Sequence, residues 1–450
     1  MTRTHLLAAV SLGLATVLAV PAFAWGPNAQ QAITFAALQL SQRFNPVGLR
    51  QYDKDTLRGS EDGQAVMQDL FPIKNHAQAI EAVGREIQLL RGVREYGMGS
   101  YFAYRMGVLS AGVSDVILPF GYAFTPDEEK LQEKIEADIE RYVKQYDYVS
   151  ELTERTFIRY TRLYFENQGN FLPDAMRIVE DDYRRGSGYQ GYLQKAAPAY
   201  FIRSVDAVAD AWFTVLRTAP DVGDVPPSKP QLAWYFVREI EYLLREKDNF
   251  RQAMETYENF ERVNANIMET YEKLGDLFYR YGDETANAQS VDRGVREWRK
   301  AFDLGGPGRE RVATKLASHF LQEGKVHLEK GTQRGATETD LPNALRAFEQ
   351  ALEYDRGSDE AALFMRVWNI AIKRREEQFN MNMNIISTAD RVREEAERAF
   401  TAGNFGGAIT TYEQAASLYS TVDDMFPQLA TQAEESRRDL EKKTRDVIQQ

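Results

Sequence analysis

Along most of this chain the apolar residues recur at three- and four-residue intervals, the period of an α-helix rather than the alternation of a strand. From Pro27 to Gln42, Ala32, Ile33, Ala36, Ala37 and Leu40 trace one helix, with Pro27 in the first turn, where a missing N–H costs little. A second helix is expected from about Asn75 to Arg91. Gly97 and Gly99 separate it from a third, inside Tyr101–Gly121, that should end by Pro119. Phe44 to Gly63 is rich in Asn, Pro, Asp and Gly and reads as a loop. Thr125-Pro126-Asp127-Glu128-Glu129 is a helix start, with a capping hydroxyl, an early proline and acids in the first turn. No Gly or Pro follows until Gly169, so a long helix or a broken pair is expected there. Gly186, Gly188 and Gly191 mark a loop, and a further helix should run from about Ala197 to Leu216. No strand-like run competes, and the class is all-α.

The stretch TAPDVGDVPPSKP, residues 218–230, is dense in Pro, Gly and Asp and is the expected joint between domains 25–217 and 231–450. Beyond it a pattern repeats: a small residue, an aromatic four positions on, and an apolar residue three further. It occurs at Ala253/Tyr257/Phe260, Gly294/Trp298/Ala301, Ala344/Phe348/Ala351 and Ala408/Tyr412/Ala415. NALRAFEQALEYD and GGAITTYEQAASLY resemble the second helix of a tetratricopeptide repeat, and YEKLGDLFYRYGD, with Leu274, Gly275 and Phe278, resembles a first helix. The resemblance covers about 228–420, with insertions such as GATETDLP and uneven spacing, and implies stacked helix pairs forming a superhelix. Ser358 to Ala402 contains no Gly or Pro, which suggests one long helix or two with a break near NMNMN. The charged end from Ser436 to Gln450 reads as a solvated capping helix.

One polar residue interrupts the third helix. Gly107, Ala111, Asp115 and Pro119 recur every four residues and share a face, on which Asp115 is the only ionisable group, flanked by Val113, Val116, Ile117 and Leu118. A carboxyl in such surroundings must be hydrogen-bonded, paired, metal-bound or protonated.

Composition narrows the setting. The first 24 residues read as a secretory signal: Arg3 and His5, an apolar core, then Ala22-Phe23-Ala24, with Trp25 as the expected first mature residue. No later stretch approaches the ~20 apolar residues of a membrane span, so a soluble, exported protein of a bacterial periplasm is expected. Removing the leader takes the formal net charge from −12 to −13, which argues against nucleic-acid binding by broad phosphate neutralisation. Cysteine is absent, excluding disulfides, thiol catalysis and thiolate ligands. No glycine-rich phosphate loop, nucleophile elbow or HExxH segment occurs.

A mature start of Trp-Gly-Pro before a helical domain resembles the zinc-dependent phospholipase C and single-strand-specific nuclease superfamily, over about residues 25–215. That resemblance implies a three-zinc cluster held by the N-terminal Trp, by a G-x-x-x-H-x-x-x-D-x-x-x-P-x-H helix and by a later H-x-x-x-E/D pair, doing metal-assisted phosphoryl chemistry. Here Gly107, Asp115 and Pro119 keep the spacing, while Ala111 and Gly121 stand at the two His positions. Gln30 stands where the first helix would carry His, and the later pair aligns with Glu136 and Glu140. Asp69 and His76 are the remaining counterparts. Of four histidines, His5 lies in the leader and His319 and His327 in the repeats, so ligand count excludes three zincs. No catalytic residue, cofactor or metal is expected; a reduced site, if any, would use Trp25, His76, Asp115 and Glu140, oxygen-rich and suited to calcium or magnesium. Otherwise Asp115 should cap backbone or pair with a base such as Arg105, and Glu136 and Glu140 should form an exposed pair.

The expected function is therefore that of a non-catalytic exported protein binding another exported protein or peptide through its repeats. The alternatives are a metal-dependent phosphodiesterase or phospholipase with a carboxylate-rich site, and a lipid- or solute-binding module in the space that the lost histidines vacate.

Overall fold

The computed structural model describes residues 25–41, 43, 49–146, 154–217, 226–333, 337 and 339–449. The expected leader and residues 218–225 of the expected joint lie outside them. Among the described residues there are seventeen α-helices and no strand. None of these helices is long and apolar enough to cross a membrane. Backbone contacts divide the chain into two compact units, one ending at Ala265 and one beginning at Asn266.

The first unit comprises α1 (Pro27–Ser41), α2 (Asp53–Leu70), α3 (His76–Val93), α4 (Ser100–Asp115), α5 (Pro126–Tyr142), α6 (Thr161–Gln168), α7 (Leu172–Arg185), α8 (Tyr192–Leu216), α9 (Lys229–Arg245) and α10 (Phe250–Val263). At its centre is α4, every residue of which is buried. It packs against α1, α2, α3, α8 and α9, as a helix without a solvent face must.

The segment read as a loop is mostly helix, and its glycines explain why. A Cβ on Gly59 would lie 1.9 Å from the Tyr104 carbonyl oxygen, one on Gly63 2.2 Å from Ala111 Cβ, and one on Gly107 1.9 Å from the Thr56 oxygen. Gly59 and Gly63 on α2 thus meet Gly107 and Ala111 on α4 in a backbone-to-backbone crossing. Glycine costs about 1 kcal/mol in a helix interior, and the close approach offsets it. Elsewhere the local signals are realised directly. Thr125 Oγ1 accepts the Glu128 N–H at 3.3 Å while Glu128 Oε2 accepts the Thr125 N–H at 3.0 Å, a reciprocal cap that starts α5. The broken pair becomes α5 and α6, and α8 begins at Tyr192, carrying Pro198 inside it.

The division into units falls after Ala265 rather than at 218–230 because α9 belongs to the first core. Tyr101 lies 5.2 Å from Tyr235 and 5.5 Å from Tyr242 between ring centroids, and Tyr104 lies 5.0 Å from Tyr242. The Tyr242 hydroxyl donates to Asp55 Oδ1 at 2.5 Å. Burial of these aromatic rings ties α9 to α4 and α2, and α10 pairs with α9.

The second unit comprises α11 (Met268–Thr285), α12 (Ala288–Leu304), α13 (Arg309–Thr332), α14 (Asp340–Tyr354), α15 (Asp359–Thr401), α16 (Phe405–Tyr419) and α17 (Pro427–Ile448). Successive helices pair as α11 with α12, α13 with α14 and α15 with α16. The repeated small–aromatic–apolar triplets fall on α10, α12, α14 and α16, and all are buried. Glycine again permits the contact. A Cβ on Gly275 would lie 2.2 Å from the Trp298 ring, and one on Gly324 2.5 Å from the Phe348 ring. The stretch without Gly or Pro forms one unbroken helix of 43 residues. His319 packs edge-on against Tyr279, with Nδ1 3.2 Å from its hydroxyl.

Candidate functional site

The end of α4 is where the expected ligands were to converge. The helix stops at Asp115, and the chain turns back through Val116–Gly121. At Gly121 a Cβ would lie 1.8 Å from the Asp115 carbonyl oxygen, so only glycine fits. The Gly121 oxygen accepts the side-chain amides of Gln132 at 3.1 Å and Gln64 at 3.4 Å. Trp25 is wholly buried; its indole N–H donates to the Ser114 oxygen at 3.2 Å and its ring meets Phe201 edge-on. Gln30, at the expected His position of α1, accepts the Ser114 hydroxyl on Oε1 at 2.7 Å. That side chain ties α1 to α4.

Glu140 is a helix cap. Oε1 accepts the Ala29 N–H at 2.9 Å and Oε2 accepts Asn28 Nδ2 at 2.6 Å. A carboxylate at the N-terminus of α1 satisfies an orphan donor and complements the helix dipole. The expected exposed pairing with Glu136 is therefore not what Glu140 does.

Asp115 is 3% exposed, and its Oδ2 has no hydrogen-bond partner among the described residues. Burial, reinforced by the charge of Glu136, holds its carboxyl well above the usual carboxylate range. Desolvation thus favours its neutral, protonated form. The expected pairing with Arg105 does not form. Arg105 makes a two-pronged contact with Glu86, Nε to Oε1 at 2.9 Å and Nη2 to Oε2 at 2.5 Å, and donates Nη1 to the Tyr101 hydroxyl at 3.0 Å. Arg105 is 1% and Glu86 0% exposed, so each charge is compensated by the other away from water.

Asp69 and His76 do not join this cluster. Asp69 is at the surface, accepting Arg238 Nη1 at 3.1 Å. His76 opens α3 and lines a cavity, where burial lowers its pKa and favours the neutral ring. The residues present do not fit a three-zinc cluster: Ala111 Cβ abuts α2, the Glu140 oxygens are engaged, and burial disfavours the charged form of Asp115. Among the described residues no group of three or more His, Cys, Asp or Glu could hold a metal ion. The Ala111 position is not empty either, since α2 fills it.

The cavity beside His76 was not foreseen. It measures about 370 Å³ and is bounded by His76 and Ile80 of α3, by the segment Leu118–Phe124, and by residues of α6, α7 and their junction. A signal for it exists in the sequence, the cluster of Phe120, Tyr122 and Phe124 just past α4, and the turn that carries them, with Phe120 at φ 60°, brings all three to the cavity wall. Gly121, whose oxygen the two glutamines hold, also contributes to this wall.

Comparison with protein-family models, curated proteins and solved structures gave no match.

Proposed function

We propose that this chain is an exported, non-catalytic interaction protein, with a helical first unit of phospholipase C-like descent and a tetratricopeptide-like second unit that binds another protein or peptide. The observation that carries this reading is an apolar stripe on α15. Leu363, Val367 and Ile370, spaced by four and three residues, are 55%, 41% and 53% exposed. The other side of the same turns is anchored: Phe364, Met365, Trp368 and Ile372 pack on Leu328, Leu341 and Phe348. The Trp368 indole donates to the Leu341 oxygen at 2.7 Å. The stripe is thus a rigid, outward apolar row, the kind of surface that receives the apolar face of a partner helix. Exposed Arg366, Lys373 and Arg374 flank it, so an amphipathic partner segment carrying acidic residues complements it.

The metal-dependent phosphodiesterase alternative requires Glu140 to release α1 and Asp115 to ionise within an apolar wall, and no observed ligand set favours it. The test is capture from periplasmic extract by the full chain and by a Leu363→Asp, Ile370→Asp variant of equal helicity. A partner retained by the first and lost by the second is expected. Equal retention, or no specific partner for either, overturns the reading.

A further inference from the structure

The cavity beside His76 has the size and lining of a small-molecule site, and its chemistry is distinctive. Four aromatic rings, Phe120, Tyr122, Phe124 and Phe165, form much of its wall. Tyr122 and Phe124 stack nearly parallel, with ring centroids 6.3 Å apart and planes 8° from parallel. Phe124 remains 39% exposed, so one wall reaches solvent and an entrance exists. Formal charge at the rim cancels: Glu166 is paired with Arg162, Nε to Oε1 at 2.7 Å. The lining otherwise offers hydrogen bonds from three side chains, His76, Asn170 and Tyr122, whose buried hydroxyl has no hydrogen-bond partner among the described residues. Desolvation favours the neutral imidazole, which carries one donor and one acceptor.

These features exclude two ligand classes. An anion would find no unpaired cation in the lining. A strongly polar solute would lose water without replacing its hydrogen bonds. A planar, uncharged molecule loses little on desolvation and gains contact with the ring faces.

We propose that this cavity binds a neutral, ring-bearing, largely apolar small molecule with one or two hydrogen-bonding groups, of the phenol or arylamine class. The site lies wholly in the first unit and does not depend on the α15 surface.

The test is fluorescence titration of the full chain with N-phenyl-1-naphthylamine, a neutral arylamine, and with 1-anilinonaphthalene-8-sulfonate, which adds an anionic group to the same ring system. Saturable one-to-one binding of the neutral dye is expected, at least tenfold tighter than the sulfonate. Met176→Trp should fill the cavity and weaken the neutral dye at least tenfold. Phe124→Ala, at a partly exposed ring where folding is not at stake, should weaken it about fivefold. The Leu363→Asp, Ile370→Asp variant should bind the dye as the parent does, which separates this site from the proposed partner surface. Absence of saturable binding, equal affinity for the two dyes, or unchanged affinity in a folded Phe124→Ala variant would overturn the proposal.

Discussion

Helices α4 and α15 are the organising elements of their units and use opposite means. All sixteen residues of α4 are buried, whereas of the forty-three in α15 only Ala361, Asn382, Ile386, Ala389 and Ala396 are. Apolar content alone does not separate them. What separates them is small residues: Ala103, Gly107 and Ala111 let neighbouring backbones close over α4, while α15 carries long charged side chains between its apolar ones. Complete burial has a consequence. Every ionisable group on α4 must be paired, as Arg105 is with Glu86, or pushed toward its neutral form, as burial pushes Asp115. The first unit should therefore be sensitive to single substitutions along α4, and the second should tolerate them along the outer face of α15.

The contrast can be broken most directly at the buried ion pair. Glu86→Ala leaves the Arg105 guanidinium uncompensated and should cost about 3–5 kcal/mol, read by urea denaturation; a loss below about 1 kcal/mol would mean that Arg105 finds water or another acid. Next come the glycines. Gly107→Val drives side-chain atoms into α2 and should cost about 3 kcal/mol. Gly406→Ala at the start of α16 meets nothing within 4 Å and should stabilise by about 0.5 kcal/mol. Two glycine substitutions of opposite sign would show that the crossing, not glycine content, makes the difference.

A third probe uses pH. Glu239 on α9 is partly enclosed, and burial pushes its carboxyl up from 4.5 to about 7. Between those values the folded state binds more protons than the unfolded state, so stability falls as pH rises through that window. Glu239→Gln should nearly match the parent near pH 4.5 and exceed it by about 3 kcal/mol above pH 7, visible as a pH-dependent gap in melting temperature. A constant gap would assign the effect to packing. The smallest stability change belongs to Leu363→Asp with Ile370→Asp, within about 0.5 kcal/mol, although the proposed partner capture should be lost. A large destabilisation there would mean that the stripe is core rather than docking surface.

Much of the second unit was legible in advance because its signals are local. The triplets Ala344/Phe348/Ala351 and Ala408/Tyr412/Ala415 announce a buried helix face within eight residues, and the absence of Gly and Pro from 358 to 402 announces an uninterrupted helix. Thr125-Pro126 likewise carries its own cap. The candidate site was only partly legible. The spacing of Gly107, Ala111 and Asp115 marks a shared face, but that face serves a helix crossing at its first two positions and holds a buried acid without a partner for its Oδ2 at the third. Glu140 is read from sequence as surface charge because its partners, Asn28 and Ala29, lie more than a hundred residues away.

Thus the sequence by itself determined the helical class, several helix limits, the buried register of the repeated helix faces and the poverty of metal ligands, all properties of composition or of neighbours within two turns. Tertiary structure alone decided whether Gly59 and Gly63 are turn or crossing, that Arg105 chooses Glu86 over Asp115, that α9 joins the first core, and that Phe120, Tyr122 and Phe124 enclose space instead of filling it. Those outcomes depend on which surfaces meet across long sequence separations. There, steric closeness and desolvation are properties of the pair, and no single stretch of chain encodes them.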